Sequence, residues 1–309
     1  MFSVQIKDGM FSRRELLRLI LPLVVQLVFT ALMGAVDTMM VARVGDAAVS
    51  GVSLVDTLNN LMLMVFTATA TGGTVVCAQF LGAGHGEDAN RAARQVLLCV
   101  AAISLLCCGL CLGLRRPLLH LIFGAVEDRV MEAAMVYFLV TVLSYPFIGV
   151  FGASSALYNA AGESRKPMLV SVAGNLLNIL GNAVFLFVLR WGVFGAALST
   201  TLSRVFQCVV VLILHRRPGQ VIVLRDYFKI RPDLKLIRAI LRVGIPTGVE
   251  NGMFQLGKLM VQSTVALLPT AEIAAQAVVN TLEYFTSMPS MAVGMGLVTV
   301  AGQRIGAGR

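Results

Sequence analysis

Long apolar stretches separated by short polar breaks run along the whole chain. Eight of them reach the roughly 20 residues that a membrane-spanning helix needs, at about 16–44, 49–81, 92–114, 131–161, 168–189, 193–214, 237–268 and 273–301. Runs of this length favour helices, because a helix satisfies its own backbone polar groups within lipid. The pattern therefore predicts an all-α, polytopic membrane helix bundle with eight transmembrane helices.

Composition argues against a soluble enzyme. Of 309 residues, 57% are hydrophobic and 13% are charged, whereas soluble domains carry roughly 25% charged residues. The six cysteines lie inside apolar stretches, where cysteine packs as a small hydrophobe. We expect the three histidines to lie in loops, and no zinc-protease or serine-hydrolase motif occurs in the sequence. The sequence therefore predicts no enzymatic activity and no cofactor.

The net charge of +9 follows the membrane topology. If the N-terminus is cytoplasmic, about 18 of the 25 lysines and arginines fall on the cytoplasmic side, as membrane proteins prefer. This predicts a multi-pass protein of the plasma (inner) membrane. Anionic membrane lipids are then the expected partners of the basic loops, and a nucleic-acid partner is not expected.

The sequence also repeats itself at a displacement of 224 residues. The matches include Pro22 with Pro246, Gln79 with Gln303, and Gly82-Ala-Gly84 with Gly306-Ala-Gly308. Six predicted helices separate the copies, so both copies enter from the same side, which predicts parallel six-helix repeats. We expect an N-terminal six-helix lobe at 1–215, a cytoplasmic linker at 216–236 and the first two helices of a C-terminal lobe at 237–309. Eight of an expected twelve helices would then be present, so the chain is expected to be C-terminally incomplete.

A group of polar side chains lies in the outer half of the first lobe. Charges near the bilayer centre are costly, yet Asp37 lies only about 10–12 Å inside the end of the first helix. Asn178 and Asn182 are four residues apart and share one helix face, while Tyr137 and Thr200 lie at similar depth. Such a set can coordinate Na⁺ or hold a proton, but similar residues also join membrane helices without any transport role.

Further polar residues lie at membrane depth. Asp56 either joins this cluster or faces water near the rim. The candidates for a substrate cavity are Asp56 and four residues of the second lobe: Glu250, Gln255, Lys258 and Glu283. Lys258 is expected to pair with Glu283 or Asp37, or to snorkel to the interface. The prolines expected to bend helices as access alternates are Pro22, Pro146 and Pro246.

Several segments resemble the multidrug and toxic compound extrusion (MATE) transporters. They include 33–45, Tyr158–Pro167 and Ile245–Lys258. The resemblance implies an alternating-access antiporter that exports small lipophilic, often cationic compounds in exchange for Na⁺ or H⁺, without an obligate protein partner. It also implies an ion-coupling site at Asp37, Asn178, Asn182 and Thr200, with Na⁺ as a candidate metal ion at the first three. Asn182 replaces the second aspartate of one subgroup, which leaves the coupling ion open.

Two alternatives remain open. A flippase for lipid-linked oligosaccharides, from the same wider superfamily, would need several cationic side chains to bind pyrophosphate. Here Lys258 and Arg204 are the cations at membrane depth, which favours lipophilic, cationic cargo. The second alternative is a truncated transporter without function, because a cleft between two lobes needs both of them.

Overall fold

Helices form the regular structure of the described chain. The computed structural model describes residues 13–124, 126–217, 220–224, 231–265 and 270–308. Within these ranges the chain forms ten α-helices: α1 (Arg13–Ala42), α2 (Asp46–Gly82), α3 (Gly86–Gly113), α4 (Arg115–Phe123), α5 (Asp128–Val142), α6 (Tyr145–Ala160), α7 (Arg165–Asn182), α8 (Gly192–Arg216), α9 (Leu234–Val265) and α10 (Thr270–Gly306). A π-helical segment, Ala183–Val188, continues α7. The predicted all-α class is confirmed.

Most of the long helices can cross a membrane. Within the described ranges, six are long and apolar enough, or seven if the bent pair of α5 and α6 forms one span. Helix α9 has 32 residues, but Glu250, Gln255 and Lys258 interrupt its apolar run and it does not reach the same hydropathy. The chain is therefore a multi-pass membrane protein, and the arrangement of eight helices out of twelve stays a prediction.

The fourth predicted helix is broken. The predicted span at 131–161 consists of two helices, because α5 and α6 are separated by two residues and bend by 52°, close to Pro146, where a bend is expected. Pro146 lies in the first turn of α6, where its missing N–H costs no intrahelical hydrogen bond. Pro146 therefore comes directly after the bend in the chain, whereas Pro22 and Pro246 lie in the interior of α1 and α9.

The expectation that all three histidines lie in loops is wrong for His120 and His215. His120 lies in the last turn of α4, a short helix between the apolar stretches at 92–114 and 131–161. His215 lies in the last turn of α8 and is fully buried. Its ring stacks on Tyr158 with the two centroids 4.2 Å apart. An aromatic partner and a closely packed environment keep this polar residue inside the protein.

The core of the first lobe surrounds α2. Val55 of α2 is fully buried, as are Val96 of α3, Val142 of α5 and Leu157 of α6. On the outer surface of α3, the apolar side chains of residues 105 and 106 are largely exposed, as lipid-facing residues are. Burial of the apolar side chains around α2 positions the polar residues that α2 and α5 also carry.

The two copies of the repeat meet where α2 and α10 cross. A Cβ atom added to Gly82 would lie 1.9 Å from the carbonyl oxygen of Gln303. A Cβ atom added to Gly306 would lie 1.9 Å from the carbonyl oxygen of Gln79. Since Gly82 matches Gly306 and Gln79 matches Gln303 in the repeat, equivalent residues contact each other reciprocally.

Side chains of α3 hold parts of the connection between α8 and α9. Asn90 accepts a hydrogen bond from the backbone N–H of Val223 at 3.0 Å. The side chain of Gln95 donates to the carbonyl of Arg231 at 2.8 Å and accepts from the N–H of Asp233 at 3.1 Å. The predicted linker at 216–236 lies partly outside the described residues, at 218–219 and 225–230, and its boundaries stay a prediction.

Candidate functional site

Glycines bring α7 and α8 unusually close together. A Cβ atom on Gly181 would lie 2.4 Å from the hydroxyl oxygen of Ser199, and one on Gly174 would lie 2.3 Å from the side chain of Gln207. Glycine permits such an approach because it carries no side chain. The approach places the amides of α7 beside the hydroxyl groups of α8.

Asn178 joins these two helices at the site. Its side-chain amide donates to the hydroxyl groups of Ser199 at 3.4 Å and Thr200 at 3.3 Å. Ser199 in turn donates to the backbone carbonyl of Asn178 at 2.7 Å. Both side-chain contacts of Asn178 with α8 thus use its amide nitrogen.

Asn182 connects α7 with α1 through Asp37. The side-chain nitrogen of Asn182 donates a hydrogen bond to a carboxylate oxygen of Asp37. Asn182 is fully buried, and its amide oxygen has no hydrogen-bond partner. It is the last residue of α7, where the chain changes to the π-helical segment, a distortion that is frequent at functional sites. A buried amide oxygen without a partner beside a carboxylate suits a cation that takes oxygen ligands.

Asp56 belongs to the same region through α2 and α5. Asn59 donates to its carboxylate at 3.3 Å, and the hydroxyl of Tyr145 donates to the amide oxygen of Asn59 at 2.9 Å. Tyr137 and Thr200 line the same cavity as Asp56. Of the two alternatives for Asp56, the structure therefore favours membership of the cluster.

A cavity of about 720 Å³ unites these side chains. The predicted residues among its lining are Asp37, Asp56, Tyr137, Asn178 and Thr200. Asn182 lies behind the surface, against Asp37. The first-lobe candidates thus come together in space, and their role in ion coupling stays a prediction.

Arg204 also lines this cavity, although it was not among the predicted site residues. Its guanidinium donates to the hydroxyl of Ser144 at 2.7 Å and interacts electrostatically with both Asp37 and Asp56. The signal was present in the sequence, because Arg204 lies four residues after Thr200 and so on the same face of α8.

The second-lobe candidates do not line the cavity. Glu250, Gln255, Lys258 and Glu283 are all exposed in the described structure. Of the alternatives for Lys258, the structure shows the pair with Glu283, with Nζ and Oε1 3.7 Å apart. Their predicted role in a substrate cavity stays a prediction.

The donor set fits a hard cation. Carboxylate, amide and hydroxyl oxygens suit Na⁺-like ions, which prefer oxygen ligands to nitrogen or sulfur. Among the described residues, no cluster of three or more histidine, cysteine, aspartate or glutamate side chains forms a metal-binding group. Asp37, Asn178 and Asn182 offer oxygen ligands of this kind, and their predicted role in binding Na⁺ stays a prediction.

Known transporters are similar to this chain in sequence. An uncharacterized transporter, YisQ, of Bacillus subtilis is 28% identical over 98% of this chain and 67% of its own length. A probable multidrug resistance protein, NorM, of Thermotoga maritima is 29% identical over 96% of this chain and 64% of its own length. The chain thus spans about two thirds of the length of these relatives.

Solved structures show the same architecture. A multidrug resistance MATE family transporter in an outward-facing conformation superposes with a TM-score of 0.85 at 23% identity, over 95% of this chain and 65% of that one. A MOP superfamily transporter from Pyrococcus furiosus gives 0.87 at 20% identity, over 95% and 65%. The MatE family model matches residues 22–184 and 246–309. Together with the helical fold and the polar cavity, this match shows that the chain belongs to the MatE family.

Proposed function

We propose that this chain belongs to an antiporter that exports small lipophilic, often cationic compounds in exchange for Na⁺ or H⁺. Relatives named as probable multidrug resistance proteins support the cargo class. A cavity whose lining includes Asp37 and Asp56 supports a positively charged occupant. We assign the activity to a protein with two six-helix lobes in the plasma membrane and a cytoplasmic N-terminus, of which this chain supplies the first lobe and α9 and α10.

The contact between Asp37 and Asn182 carries the proposal. A Na⁺ ion at Asp37 would gain the carboxylate and the free amide oxygen of Asn182, whose nitrogen already holds the carboxylate in place. A proton on Asp37 would neutralise the same carboxylate. In either case the bound ion removes the negative charge that attracts a cationic compound, so ion and cargo exclude each other. Mutual exclusion in one cavity is what couples export of the compound to uptake of the ion.

Replacing Asp37 with Asn tests this coupling. The matched control is Asp88→Asn, which removes an exposed carboxylate that lies 3.8 Å from Arg91, away from the cavity. Each substitution is made in the protein with two six-helix lobes, which is reconstituted into vesicles, and efflux of ethidium, a cationic dye, is followed with Na⁺ and H⁺ gradients imposed separately. We expect Asp37→Asn to abolish gradient-driven efflux, because an amide carries no charge to exchange, and Asp88→Asn to retain it.

The outcome also separates coupling from a purely structural contact. If Asp37 only joins α1 to α7, the amide of the variant still forms hydrogen bonds, and efflux continues at the native rate. That result would refute the coupling role. Absence of dye efflux from the unmodified chain under either gradient would instead support the hypothesis of a transporter without function.

The charge of the cavity disfavours a flippase for lipid-linked oligosaccharides. Such a protein needs several cationic groups to bind a pyrophosphate. Among the residues that the structure describes, the charged groups lining the cavity are the carboxylates of Asp37 and Asp56 and the guanidinium of Arg204. A pyrophosphate would meet more negative than positive charge in this lobe.

A further inference from the structure

Arg204 places a fixed positive charge in a cavity for which we propose a positively charged cargo. It lies on α8, one turn after Thr200, and lines the same cavity as Asp37 and Asp56. At the described positions of this cavity, the formal charges are two negative and one positive, which leaves one net negative charge.

The broken helix holds the guanidinium in place. Ser144 lies in the two-residue break between α5 and α6 and is fully buried. Its hydroxyl donates to the carbonyl of Thr141 at 2.6 Å and accepts from the guanidinium of Arg204 at 2.7 Å. The serine hydroxyl thereby anchors the arginine without neutralising it.

The carboxylates keep their capacity for another cation. Among the described residues, neither Asp37 nor Asp56 forms an ion pair with Arg204 within 4.0 Å. Asp37 accepts from Asn182 and Asp56 accepts from Asn59, so each carboxylate retains unused lone pairs. Arg204 nevertheless interacts electrostatically with both carboxylates. It therefore lowers the negative potential of the cavity without occupying the ligand positions.

We propose that Arg204 is a built-in counter-cation that offsets one of the two carboxylate charges and limits this cavity to one bound positive charge. The inference rests on the proposed antiport function and specifies how many positive charges the cavity binds at one time. The occupant is either one monovalent ion or one singly charged lipophilic compound. A compound with two positive charges would be disfavoured.

Binding of a permanently charged probe tests the proposal. Tetraphenylphosphonium carries one charge at every pH, and its dissociation constant can be measured by equilibrium dialysis with the purified full chain. Arg204→Gln removes the charge but keeps a hydrogen-bond donor for Ser144. We expect it to tighten binding by about ten- to thirty-fold, because one repulsive charge is lost at a distance beyond direct contact. Arg204→Lys keeps the charge and should bind within about three-fold of the native chain.

A double variant checks that charge is the cause. Asp56→Asn alone should weaken binding of the probe by about ten-fold, and Asp56→Asn combined with Arg204→Gln should return the affinity close to the native value. Ser144→Ala removes the anchoring hydrogen bond while the charge remains, and should leave the affinity within about three-fold. An unchanged or weaker affinity in Arg204→Gln would overturn the proposal, as would a tightened affinity in Ser144→Ala.

The results distinguish this proposal from the proposed function. Loss of dye efflux in Asp37→Asn together with unchanged probe affinity in Arg204→Gln would overturn the counter-cation role and leave antiport standing. Persistent efflux in Asp37→Asn would refute the coupling. If Arg204→Gln does not fold, the affinity of Arg204→Met and of the double variant for the probe tests the same loss of positive charge.

Discussion

Adding a single methyl group at the crossing of α2 and α10 gives the sharpest test of the repeat. In Gly82→Ala the new Cβ atom would lie 1.9 Å from the carbonyl oxygen of Gln303 and 2.6 Å from its carbonyl carbon. These are backbone atoms, so a change of side-chain rotamer cannot relieve the overlap. To reach the 3.4 Å of an ordinary contact, the two backbones must separate by about 1.5 Å.

The expected cost follows from this separation. Inserting extra atoms into a well-packed contact costs about 1–3 kcal/mol, and we expect Gly82→Ala to lower the free energy of unfolding by this amount. Gly306→Ala should cost about as much, because its Cβ atom would meet the carbonyl of Gln79 at the same 1.9 Å. The double variant should cost less than the sum, since one separation of the helices relieves both overlaps.

Equilibrium unfolding in mixed detergent micelles measures these differences. Gly113→Ala is the matched control, because Gly113 is likewise the last residue of its helix and has nothing within 4 Å of an added Cβ. Its stability should stay within about 0.5 kcal/mol of the native chain. A stability of Gly82→Ala equal to that of the control, or fully additive single effects in the double variant, would refute the reasoning.

Three further predictions concern contacts outside the crossing. Tyr145→Phe removes the donor to the buried Asn59 and should lower the free energy of unfolding by about 1–2 kcal/mol in the same assay; no loss would mean that the amide finds another donor. His215→Ala deletes a fully buried stacked ring and should cost about 2–4 kcal/mol, whereas His215→Phe should retain most of the stability. Gln95→Leu removes the hydrogen bond to the carbonyl of Arg231 and should speed tryptic cleavage after Arg231 about five-fold in native-state proteolysis. An unchanged cleavage rate would show that other contacts hold this segment before α9.

The first-lobe site was predictable because helical spacing controls which side chains can meet. Asn178 and Asn182 share a face at four residues, and depth along each helix placed Asp37 and Thr200 at the same level. The structure joins all four residues through the hydrogen bonds of Asn178 and Asn182. Depth and spacing together therefore carried most of the information about this cluster.

Other features depend on contacts that the sequence does not display. At the break before α6, Ser144 forms one hydrogen bond with the nearby carbonyl of Thr141 and one with the distant Arg204, and a serine by itself does not indicate a break in a membrane helix. Arg204 appeared as an isolated charge because its anchor lies 60 residues away. The apolar run of residues 131–161 does not itself show that the span is divided, since hydropathy does not distinguish a straight span from a broken one, although Pro146 predicts a bend within it.

Gln95 holds the chain just before α9 begins. This one side chain binds the carbonyl of Arg231 and the N–H of Asp233, immediately before α9 begins at Leu234. The helix is 32 residues long, or about 48 Å. Farther along, a Cβ atom added to Gly72 of α2 would lie 2.3 Å from the carbonyl oxygen of Ile240, so α9 also packs closely against α2. The start of α9 is therefore fixed from two sides, by one amide of α3 before its first residue and by the backbone of α2 along its first turns.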